Sequence, residues 1–472
     1  MDTAALATGI AARWDDDLVP RLTDYIRVPA KSPHFDPDWA RNGHIDRVVA
    51  DALAWVERQP VAGMRCEVVR LPGRTPVLLV EIAASAPGPD RTVLLYGHLD
   101  KQPEMTGWHE GSGPWEPRYE DGKLYGRGGA DDGYAVYASL TAIAALQAQR
   151  VPHARCVAII ETCEESGSYD LPAYLEALSP RLGNVDFVIG LDSGCGDYER
   201  LWVTTSLRGL AAGTLTVDVL TEGVHSGHAS GIVPSSFRIA RTLLDRLEDK
   251  DSGRIVADVF HAPIPDERAR QARATAEILG ATVIDEYPFA GDTQPMATDR
   301  VEAVLNRSWR PALSVTGADG LPPIASAGNV LRPRTSLKLS LRLPPTVDGE
   351  SATAAMKRIL EADPPYRAKV AFTPDQGATG WNAPPTAPWL EAAMQSASQA
   401  FYGKPASAIG EGGTIPFMGM LGAQFPQAQF LITGVLGPHS NAHGPNEFLH
   451  VPYAKKLNAC VASVLAAHAS AA

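Results

Sequence analysis

The chain has 472 residues and a net charge of -12 at pH 7, with 54 Asp and Glu against 42 Lys and Arg. That balance argues against a nucleic-acid partner, whose phosphates need basic patches, and the length is too great for one ordinary core, so two domains are expected. Five scattered cysteines without a CxxC pair argue against a disulfide framework and a zinc ribbon, and fit a reduced, cytoplasmic setting.

The opening stretch, "MDTAALATGIAARWDDDLVP", has no basic start followed by an apolar run, and reads as a helix rather than a signal peptide. No apolar stretch approaches the ~18 residues that a membrane span requires. Short apolar runs then recur as buried strands: "PVLLVEIAA" near residue 80, "RTVLLYG" at 91–97, "RCVAIIE" at 155–161, "VDFVIGL" at 185–191 and "FLITGVLG" at 430–437. Helical stretches such as Tyr134 to Ala148 separate them. The alternation predicts an α/β domain with a mixed, mostly parallel sheet and helices on both faces.

The middle of the chain has another period. "GTLTVDV" at 213–219 and "SLKLSLRLP" at 336–344 alternate apolar and polar residues, as strands do in a sheet with one wet face. "PSSFRIARTLLDRLED" and "TAAMKRILEA" read as amphipathic helices beside them. The expectation is an α+β domain at 207–379 inserted into a catalytic domain made of 1–206 and 380–472, with the breaker-rich "TPDQGATGWNAPPTAP" at the second junction. The segment from 255 to 310 is read as helix and loop packed over the site.

Charged residues follow the buried strands. "HLD" gives His98 and Asp100, "EESGS" gives Glu164 and Glu165, "DSG" gives Asp192, and "GPHSNAHGPNE" gives His439 and His443. In open α/β sheets ligands bind beyond the carboxyl ends of the strands. Carboxylates gathered there without a cation would raise each other's pKa strongly. His, Asp and Glu without thiolate suit Zn²⁺, Mn²⁺ or Co²⁺. Their number exceeds the three protein ligands of one catalytic zinc, and two metals sharing a carboxylate explain the surplus. In "GRGGADDG" Asp131 stands where a dinucleotide fingerprint needs a third glycine, and no P-loop Lys follows. The glycines serve a tight turn that aims Asp131 into the cluster as the bridging ligand, with Asp132 as a brace. Glu165 is assigned to the metal and Glu164, left free, to the proton. Cys163 reads as a buried strand-end thiol, and no GxSxG elbow supports a serine hydrolase. Their joint placement carries the reading, not any one motif.

"GHLD", "GRGGADD", "EESGS", "DSG" and "AHGPNE", in this order, resemble the dizinc metallopeptidase family of carnosinases, glutamate carboxypeptidases, acetylornithine and succinyl-diaminopimelate deacylases and aminoacylases. The resemblance implies His98 and Asp192 on one metal, Glu165 and His443 on the other, and Asp131 between them, often followed by a cis peptide. It implies Asp100 as the partner that orients His98, Glu164 as general base, and an inserted ferredoxin-like lid that also forms a homodimer. In the dipeptidase branch, which this chain resembles most, the histidine of the "HSG" loop reaches the partner subunit's site, and His225 matches it. Arg342 in "LSLRL" matches the arginine that holds the substrate carboxylate. "EGGTIP" resembles "EGGSIP", with Gly413 and Thr414 as substrate contacts. One departure stands beside these matches: Gly133 and Tyr134 replace the family's usual Lys-Gly. The implied function is hydrolysis of an amide bond in a dipeptide. The alternatives are an N-acyl amino acid deacylase or carboxypeptidase, and a catalytically dead relative that binds metal or peptide.

Overall fold

The computed structural model describes residues 1–471. The chain divides into two compact units: Met1–Thr205 with Ala383–Ile409 and Met420 onward, and Ser206–Asn382 with Gly410–Gly419. The second unit therefore takes in a short stretch that the sequence boundaries leave with 380–472.

In the first unit, helical backbone runs from Thr3 to Ile26. The sheet then forms from β1 (Met64–Val69), β2 (Val77–Ile82), β3 (Thr92–His98), β4 (Arg155–Glu161) and β5 (Val185–Gly190), with helices α1 (Tyr134–Ala148) after β3 and α2 (Leu171–Leu182) after β4. In the second unit come β6 (Gly209–Asp218), α3 (Ser236–Leu244), β7 (Ala312–Asp319), β8 (Arg334–Leu343), α4 (Gly349–Glu361) and β9 (Lys369–Pro374). The chain returns to the first unit with α5 (Pro388–Tyr402), β10 (Gln429–Ile432) and α6 (Val451–Ser470).

The six-stranded sheet of the first unit has the order β1-β2-β4-β3-β5-β10. β3 pairs in parallel with both β4 and β5, and β10 pairs in parallel with β5. β1 and β2 join antiparallel at one edge. Every residue of β3 is buried, and so is all of β4 after Arg155. Continuous apolar strands of this kind belong in the middle of a covered sheet. Helix α1 is buried along nearly its whole length. It packs on β3 and beneath α6, which explains its alanine-rich, all-round apolar composition. The chain leaves β3 for β4 on one side and then returns to β5 on the other. Strand order thus reverses at β3, where an α/β sheet opens its ligand crevice.

The second unit has an antiparallel sheet of order β7-β8-β6-β9 with α3 and α4 packed on it, so that the elements run βαββαβ. The alternation read in the sequence is the burial pattern observed: Leu337, Leu339, Leu341 and Leu343 enter the core with Ile239, Leu243, Met356 and Leu360. Residues 255–310 carry the helices Asp266–Leu279 and Arg300–Ser308, which bury Ala272, Ala276, Val304 and Leu305 in a small core of their own. Among the described residues no helix is long and apolar enough to cross a membrane.

Candidate metal centre and active site

His98 is the last residue of β3, Asp192 follows β5 by two residues, and Glu164 and Glu165 follow β4 by three and four. Strand ends thus bring them together at the switch point. The glutamates sit on a short 3-10 turn, Glu164–Ser166, rather than on the extended chain the sequence suggests. They still diverge. Glu164 joins His98 and Asp192, whereas Glu165 joins Asp131 and His443, and within each group the ligand atoms lie within 4.8 Å of one another.

Asp131 arrives from the glycine turn. Gly128 is left-handed, with φ of 83°, and Asp131 and Asp132 leave helical geometry before α1 begins. Their peptide bond is cis. Asp131 Oδ1 lies 3.4 Å from His98 Nε2, and its Oδ2 lies 2.9 Å from His443 Nε2. One carboxylate therefore reaches both imidazoles. Asp192 Oδ2 and Glu164 Oε2 stand 3.8 and 4.0 Å from His98 Nε2, and Glu165 Oε2 stands 3.4 Å from His443 Nε2.

Side chains behind these groups fix their directions. His98 Nδ1 pairs with the backbone carbonyl of Asp100 at 3.1 Å, and the Asp100 carboxylate is 3.5 Å away. That carboxylate accepts the N–H groups of Glu164 (3.1 Å) and Glu165 (3.0 Å), so Asp100 also shapes the glutamate turn. Gln102 donates to Glu165 Oε2 at 2.6 Å. Arg127 and Glu447 form a fully buried ion pair. Arg127 also donates to the carbonyls of His443 (3.1 Å) and Gly444 (2.9 Å), while Glu447 accepts the Gly128 N–H at 2.9 Å. This pair ties the His443 loop to the glycine turn that carries Asp131. Sequence reasoning missed Gln102, Arg127 and Glu447, although all three lie inside or beside the quoted motifs.

The electrostatics are those of a crowded acidic cluster. Burial, then the charge of Asp192, raises Glu164 well above the ordinary carboxylate range. Burial, then Asp131, does the same to Glu165. Burial pushes Asp192 up to about 7. Asp131 differs: burial opposes its charge, but His443 and His98 outweigh this and hold it well below the usual range. Burial opposes protonation of His98, yet Asp100, Asp131 and Asp192 raise it. His98 Nε2 is buried and has no hydrogen-bond partner. An orphaned imidazole nitrogen facing several unneutralised carboxylates is what divalent cations would satisfy. The donor set fits them.

The remaining predicted site residues belong to the second unit. Arg342 donates to Thr414 Oγ1 at 3.2 Å, and Thr414 donates to the Arg208 carbonyl at 2.6 Å. Burial lowers the pKa of Arg342. Burial, then Arg342 and Arg307, lowers Arg208 to about 10. Gly413 is exposed beside Thr414. His225 is exposed at the end of the two-residue strand Val224–His225, where its Nδ1 accepts the Gly227 N–H at 3.1 Å.

Comparison with known proteins agrees with this chemistry. The chain is 28% identical over 438 residues to a cysteinylglycine-S-conjugate dipeptidase of Corynebacterium striatum, covering 90% of this chain and 91% of that one. It is 26% identical over 415 residues to a Cys-Gly metallodipeptidase of Saccharomyces cerevisiae, covering 84% of each. The fold matches the crystal structure of human carnosine dipeptidase 1 with a TM-score of 0.78 and 22% identity, covering 100% of this chain and 99% of that one. The model for peptidase family M20/M25/M40 matches residues 94–467, and the chain belongs to that family, as an enzyme with peptidase activity.

Proposed function

We propose that the protein is a dipeptidase that hydrolyses the amide bond of a small substrate bearing a free carboxylate, with two divalent cations at the centre described above. The observation that carries this reading is Asp131, whose two oxygens face His98 and His443, one from each ligand group. His98 and Asp192 would hold one cation, Glu165 and His443 the other, and Asp131 would face both. Zn²⁺ is the metal we assign, with Mn²⁺ or Co²⁺ as the other ions that such donors accept. When bound, the pair supplies Lewis acidity toward a water and an amide carbonyl.

The chain's own groups do the rest. Glu164 takes a proton from the attacking water at its carboxylate and returns it to the leaving amine. A buried carboxyl with a raised pKa suits both transfers. Asp100 keeps the Glu164–Glu165 turn in place through two backbone N–H groups. His225 and Arg342 are assigned from their motifs to the developing oxyanion and the substrate carboxylate. The second unit, with its βαββαβ layout, is read as a ferredoxin-like lid that also joins two copies. Its edge strand β7 is largely exposed, as an edge available for pairing would be. The setting we assign is cytoplasmic.

A second reading is favoured by one observation: Glu164 groups with His98 and Asp192 as a third ligand. Glu164→Gln separates the two. Abolished turnover with metal content intact supports the proton role. Loss of metal along with activity makes Glu164 a ligand. Hydrolysis rates over dipeptides, N-acetyl amino acids and longer peptides, each with Zn²⁺, Mn²⁺ and Co²⁺, test the substrate class. Cleavage confined to N-acyl amino acids would replace the dipeptidase reading with a deacylase.

A further inference from the structure

We infer that Tyr134 is a positioning residue for Asp192 and sets the affinity of the His98–Asp192 group for its cation; the inference rests on the two-cation reading above. Tyr134 opens helix α1 and is buried. Its hydroxyl donates a hydrogen bond to the carbonyl of Leu191. That carbonyl shares a rigid peptide plane with the N–H of Asp192. Leu191 lies one residue past the end of β5 at Gly190, where the ladder bonds to β3 and β10 stop. The phenol therefore takes over where strand pairing ends, and fixes the direction from which Asp192 enters the site. Because the ring stands on a long buried helix, the support is rigid.

The neighbouring glycine explains why the sequence departs here at two adjacent positions. A Cβ at Gly133 would lie 2.2 Å from Cε1 of Tyr25 and 2.8 Å from the Gly128 carbonyl oxygen. Only glycine fits against that ring. Tyr25 in turn donates to the carbonyl of Leu99 at 3.1 Å, between His98 and Asp100. Two buried phenols thus support the backbone beside His98 and beside Asp192, which share one ligand group. The other group is braced by different chemistry: the Arg127–Glu447 ion pair and the Gln102 amide. Loss of one phenol hydroxyl should then weaken one metal position and spare the other.

The test is calorimetric titration of the full-length, chelator-stripped protein with Mn²⁺ and with Zn²⁺. Wild type is expected to take two equivalents. Tyr134→Phe should weaken one of them by roughly 10–100-fold, the range for residues that orient metal ligands. In an Asp192→Asn background, which removes that position, Tyr134→Phe should leave the remaining equivalent unchanged. Should Tyr134→Phe fail to fold, para-aminophenylalanine and para-methylphenylalanine at position 134 give the same comparison with and without a donor, and the donor should restore affinity. Equal weakening of both equivalents, weakening of neither, or an effect that persists in Asp192→Asn would overturn the inference. A wild type that takes only one equivalent would refute the two-cation reading. If that single equivalent is also indifferent to Tyr134→Phe, the positioning role falls with it.

Discussion

Stripping the cations should make the protein's stability depend on pH in a direction the site dictates. Burial moves Asp192 from an ordinary 3.8 up to about 7. Three units at 1.36 kcal/mol each amount to roughly 4 kcal/mol for this one carboxyl. A group whose folded pKa is raised above its unfolded value stabilises fully below the unfolded pKa, and that contribution is lost as pH rises through the folded pKa. For Asp192 the window runs from about 4 to about 7. Glu164, Glu165 and Asp132 are raised too, in each case by burial first, and add in the same direction. Asp131 is shifted the other way, but its window lies below its ordinary 3.8, outside the range in question. Cations held by these groups would remove the cause by neutralising the charges. Scanning calorimetry of chelator-treated and zinc-loaded protein, at about pH 5.5 and about pH 8, reads the difference. At about pH 5.5 half of the Asp192 contribution, roughly 2 kcal/mol, is left to lose, so with the other raised carboxyls adding to it the stripped protein should melt on the order of 5 °C lower at the higher pH, relative to the loaded one. Asp192→Asn should shrink that gap. An equal gap at both pH values would refute the reasoning, because the acidic cluster would then carry no unneutralised charge for metal to relieve.

Other outcomes follow from the same geometry. Glu447→Gln strips the charge from the partner of a fully buried arginine, and thermal or urea unfolding should show a loss of about 3–5 kcal/mol. An unchanged midpoint would mean Arg127 finds compensation elsewhere. His225→Ala should lower kcat by about 10²–10³-fold with metal content unchanged, as for loss of an oxyanion donor; an unaltered kcat removes that role. Arg342→Lys should raise KM for substrates with a free carboxylate, since lysine does not reproduce a bidentate fork. Equal effects on carboxylate-free amides would show that Arg342 only supports Thr414.

The sequence made the buried half of each domain legible. Continuous apolar runs marked β2, β3, β4, β5 and β10, and strict alternation marked β6 and β8, because burial on two faces or one leaves those periods behind. β1, β7 and β9 went unread. Each lies at the edge of its sheet, and their side chains are largely half-buried or exposed, so no strong apolar period selects them. The ligand candidates were legible because acids and histidines directly after buried strands are costly without a cation. Of the residues behind them, Asp100 came from the family resemblance, whereas Gln102, Arg127 and Glu447 were missed. Arg127 and Glu447 stand 320 positions apart, and a partner at such a distance leaves no local pattern. Tyr134 read only as a departure from a motif. Its partner, the Leu191 carbonyl, is backbone, which no side-chain pattern records.

The grouping of Gly410–Gly419 with the second unit means that the polypeptide passes between the two units at four peptide bonds rather than two. Excising residues 206–382 would therefore not yield a clean first unit. It would strand a ten-residue segment, from the end of the strand Ser407–Glu411 to the start of the helix Pro416–Gln424, whose anchors had gone with the deleted part: Thr414 would lose the Arg342 side chain and the Arg208 carbonyl, and Gly412 would lose the Arg208 guanidinium. Separating either half for study requires breaks at all four of those bonds, with 410–419 moved across to the part it belongs to.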